Sequence, residues 1–209
     1  MKYILLADDH QVVRKGLMQI LTDAFGEVNF GEASSGAEAY RLLRERKWDI
    51  LILDVNMPGR NGLEILKQIK DEKICVPVLV LSMHPEEQIA IRAMRMGACG
   101  YLTKDSADKE LINAVSQIIS GRKYITTSLA EQMASQLENP QVKALHEHLS
   151  DREYQTLLLF ANGKTVSQIA TELSLSVHTI STFRSRILEK MNMKNTAELI
   201  AYTVRNSLL

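Results

Sequence analysis

The sequence predicts an α/β, doubly wound, five-stranded parallel sheet followed by an all-α four-helix domain. Three observations carry this reading. Short apolar runs alternate with helical patterns through residues 1–122. Two of those runs end in acids, at Asp8-Asp9 and at Asp54. From residue 148 onward the strand signal stops, and each stretch is helical with a polar cap before it. Apolar runs this short, bounded by polar residues, fit strands buried on both faces, the habit of a parallel sheet.

The strands are expected at 3–7, 28–32, 49–53, 77–81 and 98–102, with helices near 11–24, 36–46, 62–70, 86–95 and 107–120. Strand–helix alternation builds a parallel sheet covered on both faces. Met57-Pro58-Gly59 and Asn61-Gly62 punctuate joints, and Gly121 closes the last helix. A linker over 123–147 contains a short helix at 129–138, opened by Ser128-Leu129-Ala130-Glu131 at capping-box spacing and ended by Asn139-Pro140.

The segment 148–209 is strongly capped. Ser150-Asp151-Arg152-Glu153 is a capping box, with Leu149 and Tyr154 placed as a hydrophobic staple. Asn162-Gly163 ends that helix. Thr165-Val166-Ser167-Gln168 caps a second helix to about Leu173, Ser176 a third over 177–191, and Asn195 a fourth to about Asn206. Helices two and three are linked only by Ser174-Leu175-Ser176, which makes a helix-turn-helix whose second member can enter the DNA major groove. On that helix Ile180, Phe183, Ile187 and Met191 share one face. His178, Ser181, Thr182 and Ser185 share the other, flanked by Arg184, Arg186 and Lys190. Short polar side chains reach base edges, and flanking cations suit phosphates.

Strands of a parallel sheet end at one edge, and ligands bind outside it. Asp8, Asp9 and Asp54 should converge there, and three close carboxylates repel unless a cation sits among them. Two later runs bring Ser82 and Lys104 to the same edge. A hydroxyl and an ammonium beside a cation site point to a phosphoryl anion, and magnesium binds such sites through one or two carboxylates and phosphate oxygens.

Bulk properties narrow the class. The 25 basic and 25 acidic residues cancel, so charge alone does not favour nucleic acid. Residues 1–122 carry 16 basic and 17 acidic side chains, residues 145–209 carry 7 and 6, so neither half is strongly basic. No apolar run suffices to span a bilayer or form a secretory signal, and the chain reads as cytoplasmic. Cys75 and Cys99 are too few for a disulfide framework and read as small buried side chains.

Asp8-Asp9, Asp54 before Met57-Pro58-Gly59, Ser82, and Tyr101 three residues before Lys104 resemble the flavodoxin-like receiver domain of bacterial response regulators. Leu149-Ser150-Asp151-Arg152-Glu153, Ile169-Ala170, Thr179-Ile180 and Ile187-Leu188-Glu189-Lys190-Met191 resemble the LuxR-type helix-turn-helix. Together they are similar to a NarL/FixJ-type two-component response regulator over nearly the whole chain. The resemblance implies that Asp54 accepts a phosphoryl group from a sensor histidine kinase. It implies magnesium held by Asp9, Asp54 and the Asn56 backbone carbonyl, with Asp8 acting mainly through a bound water. Lys104 would neutralise a phosphoryl oxygen, Ser82 would hydrogen-bond another, and Tyr101 would turn inward behind it. Implied partners are double-stranded DNA, a second copy on activation and RNA polymerase, with no membrane. The implied domains are a receiver over 1–122, the linker, and the DNA-binding domain over 148–209. The sequence departs from the family at Ser181 and Phe183, where lysine and histidine are usual.

Other readings stand beside this one. Asp8-Asp9 fits a helix N-terminal acid pair. Ser82 fits a cap for a helix starting near Pro85. His84, two positions after Ser82, is a candidate for tuning phosphoryl hydrolysis. Leu199, Ile200, Tyr202 and Val204 fit either core or a dimer contact. A magnesium-dependent phosphatase needs a second acid two residues after its nucleophile, where Asn56 stands. A regulator acting through protein contacts, or independently of phosphorylation, fits the near-neutral tail. The chain is expected to catalyse only its own phosphoryl transfer and hydrolysis.

Overall fold

The computed structural model describes residues 1–57, 62–83, 86–138, 144–206 and 208. Pro58, Gly59, Asn61, His84, Pro85, Asn139 and Pro140 lie outside these residues. The chain divides into two compact units, Met1–Met133 and Ala134–Leu209.

The first unit alternates β1 (Lys2–Ala7), α1 (Gln11–Phe25), β2 (Val28–Ala33), α2 (Gly36–Glu45), β3 (Ile50–Asp54), α3 (Gly62–Asp71), β4 (Val78–Ser82), α4 (Glu86–Met96), β5 (Gly100–Thr103) and α5 (Ala107–Ile119). The strands form one parallel sheet in the order β2-β1-β3-β4-β5. Alternate strand residues serve opposite faces. Ile4, Leu6, Ile50, Ile52, Leu79 and Leu81 pack with Leu17 and Leu21 of α1 and with Leu111, Val115 and Ile118 of α5. Leu5, Leu51, Leu53 and Val80, which alternate with them, are no less buried. Burial on both faces is the physical reason the strands read as continuous apolar runs.

The register positions the site. Ala7 lies opposite Leu53, Asp54 opposite Leu81, and Ser82 opposite Thr103. Asp8, Asp54, Ser82 and Lys104 therefore reach the same sheet edge. The third and fifth strands begin one and two residues later than the apolar runs suggest. Asp49 is used instead as a side-chain acceptor for the Tyr3 amide, at 2.8 Å.

Three expectations are corrected here. Cys75 is exposed, in the loop before β4, and Cys99 is only partly buried. The helix α6 (Thr127–Glu138) starts earlier than expected. Its cap is Thr126 rather than Ser128, because Leu129 N donates to Thr126 Oγ1 at 3.1 Å while Leu129 itself is buried. The start of the expected linker is also tied down: Tyr124 bridges Gly100 beside β5, and its hydroxyl donates to Glu110 at 2.7 Å.

The second unit contains a 3-10 turn at Leu145–His148, unforeseen from the sequence, then α7 (Asp151–Ala161), α8 (Val166–Glu172), α9 (Val177–Lys190) and α10 (Thr196–Arg205). The expected caps form. Ser150 with Glu153 and Thr165 with Gln168 make reciprocal capping boxes. Ser176 and Asn195 accept from the amides of Thr179 and Glu198. Each satisfies amides a helix start would otherwise leave unpaired. Leu159, Phe160, Ile169, Ala170, Leu173 and Ile180 form a core, with Phe183 half-buried against it.

Candidate functional site

The edge of the first unit gathers the residues singled out in the sequence. Asp8, Asp9, His10 and Asp54 each offer one donor atom, all within 4.8 Å of one another. Lys104 Nζ lies 2.7 Å from Asp8 Oδ2 and 2.9 Å from Asp54 Oδ2. The Asp8 and Asp54 side chains are 3% and 1% exposed, while that of Asp9 is 31% exposed. The second oxygen of Asp54 accepts from Asn56 N at 3.1 Å.

The backbone holds these groups in place. Lys104 N donates to Ser82 O at 2.7 Å, which fixes the start of the lysine stem against the end of β4. Ser82 is fully buried, and Tyr101 is 1% exposed on β5, already inward. Gly62 is required behind Asp54. A Cβ there would lie 2.1 Å from the Asp54 carbonyl oxygen, so only glycine lets α3 start this close.

Electrostatics agree with this geometry. Burial pushes the Asp54 carboxyl above the usual range, and neighbouring Asp8 adds to it against the opposing pull of Lys104. Burial would lower Lys104, but Asp54 and Asp8 outweigh it and hold its ammonium above the ordinary value. Lys104 thus pairs with two acids, Asp8 and Asp54. Asp8 Oδ2 is buried and ion-paired with Lys104 Nζ at 2.7 Å. A compact cluster of oxygen donors in which two buried acids share one ammonium fits a hard divalent cation.

Two residues at this edge escaped the sequence reading. Buried Arg14 donates to the Asp8 backbone carbonyl at 2.7 Å and to Glu32 at 2.8 Å, bracing the start of the acid pair. His10 Nδ1 lies 3.1 Å from Asp8 Oδ1 and 2.9 Å from Asp9 Oδ1. Its adjacency to the acid pair at a strand end was the available signal.

In the second unit α9 exposes His178, Ser181, Arg184, Ser185 and Arg186, with Thr182 half-buried among them. Ser181, Thr182 and Ser185 donate their hydroxyls to the carbonyls of Val177, His178 and Ser181. Their oxygen lone pairs remain as acceptors. Arg184 Nε donates to Thr196 Oγ1 at 2.8 Å. Lys190, expected on the phosphate side, is placed otherwise: its Nζ lies 2.6 Å from Oε2 of buried Glu153. On α10 Leu199 is buried in the core, whereas Val204 is 60% exposed.

Comparison with known proteins gives a consistent picture. Residues 4–116 match the response regulator receiver domain, and residues 147–203 match the bacterial regulatory proteins of the luxR family. Response regulator UvrY of Escherichia coli (strain K12) is 36% identical over 206 residues, covering 98% of this chain and 94% of that protein. Response regulator GacA of Pseudomonas aeruginosa is 35% identical over 207 residues, covering 99% and 97%. RcsB from Salmonella enterica serovar Typhimurium, solved bound to promoter rprA in the presence of phosphomimetic BeF3-, is similar with TM-score 0.64 and 26% identity, covering 97% of this chain and 98% of that one. The chain belongs to the NarL/FixJ-type response regulators, which join a receiver domain to a LuxR-type helix-turn-helix. Among the described residues no helix is long and apolar enough to cross a membrane.

Proposed function

We propose that Asp54 is the phosphoacceptor of this response regulator, and that its phosphorylation by a sensor histidine kinase promotes pairing of two chains and DNA binding to regulate transcription. One observation carries the reading: Lys104 Nζ sits between Asp8 and Asp54, within a cluster of acids at the sheet edge. A carboxylate oxygen of Asp54 attacks the donor's phosphorus, the new O–P bond forms as the donor's bond to phosphorus breaks, and the electron pair leaves with the donor group. Repulsion between the carboxylate and the anionic phosphoryl group is the barrier to this step. Lys104 lowers it by neutralising a phosphoryl oxygen. Asp9, Asp54 and the Asn56 carbonyl, with Asp8 mainly through a bound water, would hold magnesium, which would supply further charge neutralisation. Ser82 donates to a second phosphoryl oxygen, and the inward position of Tyr101 packs behind it. No turnover of other substrates is invoked, because Asn56 stands where a phosphatase acid would be.

In the second unit, the acceptor oxygens of Ser181, Thr182 and Ser185, with His178, face base edges. Arg184 and Arg186 serve phosphates. The RcsB–promoter complex supports this use of α9, and so does the exposed outer face of the helix. With few cations per copy, binding needs two linked heads, and exposed Val204 on α10 suits a contact between them. RNA polymerase is the partner such a promoter-bound pair would present itself to. The test is intact mass after treatment with a small phosphodonor and magnesium. Wild type should gain one phosphoryl group and Asp54→Ala none; equal labelling of both overturns the assignment.

A further inference from the structure

We propose that the outer face of α9 reads exocyclic amino groups in the major groove, those of adenine and cytosine, through Ser181, Thr182 and Ser185 acting only as hydrogen-bond acceptors. This rests on the reading of α9 as the groove-facing helix and names the base atoms that the helix selects.

The direction of three hydroxyls carries the inference. Ser181 Oγ donates to Val177 O at 2.9 Å, Thr182 Oγ1 to His178 O at 3.0 Å, and Ser185 Oγ to Ser181 O at 3.1 Å. A hydroxyl has one hydrogen, and each of these spends it on the carbonyl four residues back. The lone pairs are what remain for a partner outside the helix. Ser181 and Ser185 are exposed and Thr182 is half-buried. Residues four apart share a helix face, so the two serines line up along α9 with Thr182 beside the first.

The cations of the same helix are directed elsewhere. Arg184 Nε donates to Thr196 Oγ1 at 2.8 Å, and Lys190 Nζ to Glu153 Oε2 at 2.6 Å. Arg186 lies at the flank of the hydroxyl row, and the ring of His178 can donate or accept. The row itself therefore offers acceptors. In the major groove guanine presents N7 and O6, and thymine presents O4, all acceptors that such a row cannot pair with. Adenine N6 and cytosine N4 carry the amino hydrogens that it can.

Inward donation is also an ordinary habit of serine and threonine in helices. On that account the three hydroxyls are spectators, and base atoms are read without them. The two accounts separate when single atoms are removed from the bases and from the protein together.

The full chain, treated with a small phosphodonor and magnesium, is first used to select duplexes from a random DNA library. The enriched duplex is then remade with one base changed at a time. Purine in place of adenine removes N6, 2-pyrimidinone in place of cytosine removes the N4 amino group, and 7-deazaguanine removes N7. Affinities are compared for wild type, Ser181→Ala, Thr182→Ala and Ser185→Ala. Alanine favours helix more than serine or threonine, so these variants should fold, and far-UV circular dichroism checks this. At one or more positions, loss of an amino group should weaken wild type about 3- to 10-fold, the net worth of one hydrogen bond. The alanine variant lacking the matching hydroxyl should not feel that loss. The purine and pyrimidinone arms tell whether adenine or cytosine supplies the amino group. Amino deletions that cost wild type and all three variants equally overturn the inference. So does a 7-deazaguanine loss that vanishes in one of the variants, since the hydroxyl would then be donating. Binding of DNA without any base selection overturns this inference alone, and absence of DNA binding overturns the reading of α9 beneath it as well.

Discussion

Replacing Lys190 by methionine should leave the salt dependence of DNA binding unchanged, although the residue lies on the helix proposed to face DNA. Its ammonium is 2.6 Å from Glu153, whose side chain is 3% exposed, against 41% for Lys190. The same carboxylate accepts from Ser150 N at 2.7 Å. Moving Lys190 onto a phosphate would break a charge-assisted hydrogen bond to a buried group, at a cost of about 1.5–3 kcal/mol. A solvent-exposed ion pair is worth only about 0–1 kcal/mol in exchange. Lys190 should therefore release no counterion. Exposed Arg186, which has no ion pair among the described residues, should release one. Each phosphate contact contributes about −0.9 to the slope of log affinity against log salt. Arg186→Met should flatten that slope by about 0.9, and Lys190→Met by none. Fluorescence anisotropy of a labelled mixed-sequence duplex, between roughly 50 and 200 mM salt, measures both. Lys190→Met should instead weaken the helical unit by about 1–2 kcal/mol, since the pair is half open to water. Trp48, the single tryptophan, lies in the first unit and reports that unit separately from the far-UV signal. A slope that flattens for Lys190→Met as much as for Arg186→Met, with stability unchanged, refutes the reasoning.

Three further outcomes are expected. Gly62→Ala puts a methyl group 2.1 Å from the Asp54 carbonyl, so it should destabilise the first unit by about 1–3 kcal/mol and slow labelling. Urea titration followed by Trp48 fluorescence checks the first part, and a wild-type midpoint would count against it. Lys104→Met removes the ammonium facing Asp54 and should slow phosphoryl labelling about 10²-fold, as when a charge-stabilising donor is lost; time-resolved intact mass measures it, and wild-type kinetics would contradict the role given to Lys104. Burial pushes Glu153 up, but Lys190 and Ser150 outweigh this and hold it below its ordinary value of 4.5. A depressed acid contributes stability that is complete above the ordinary value and lost as pH falls through the lower, folded one. The advantage of wild type over Glu153→Gln in urea midpoint at pH 7 should therefore shrink below about pH 4.5; a gap constant with pH would show the carboxylate charge to be irrelevant.

What could be seen in the sequence was what the backbone decides locally. Strands buried on both faces are apolar nearly throughout, so β1, β3 and β4 stood out; the edge strand β2 carries Asn29, Gly31 and Glu32 and is only half-buried, so its signal was weaker, and strand ends were displaced by a residue or two. Helix caps use a short side chain three residues before its target amide, so Ser150, Thr165, Ser176 and Asn195 were legible. Ser128 misled because Thr126, two residues earlier, offers the same chemistry with Leu129 in the core. Convergence of Asp8, Asp54, Ser82 and Lys104 followed from parallel topology alone. Pairings across long sequence separations were not legible. Nothing in spacing joins Lys190 to Glu153, 37 residues away. Nothing in it shows how closely α3 approaches the Asp54 carbonyl at Gly62. The direction of the His10 ring depends on side-chain geometry that periodicity does not encode.

The site is built so that its resting state is electrostatically incomplete. Water would solvate three carboxylates without strain, but Asp8 and Asp54 are withdrawn from it. Burial raises the cost of charge on Asp54, and Lys104 offsets only part of it. An exposed acid cluster would gain little from a cation or a new phosphoryl group, because solvent screens both. In a buried cluster the same arrivals change the balance by much more. Ser82 ends β4 at that edge, fully buried, and Tyr101 lies on β5, 1% exposed. The price of withdrawing acids from water is thus the source of the switch's sensitivity, and a receiver with the same residues on an open surface would lack it.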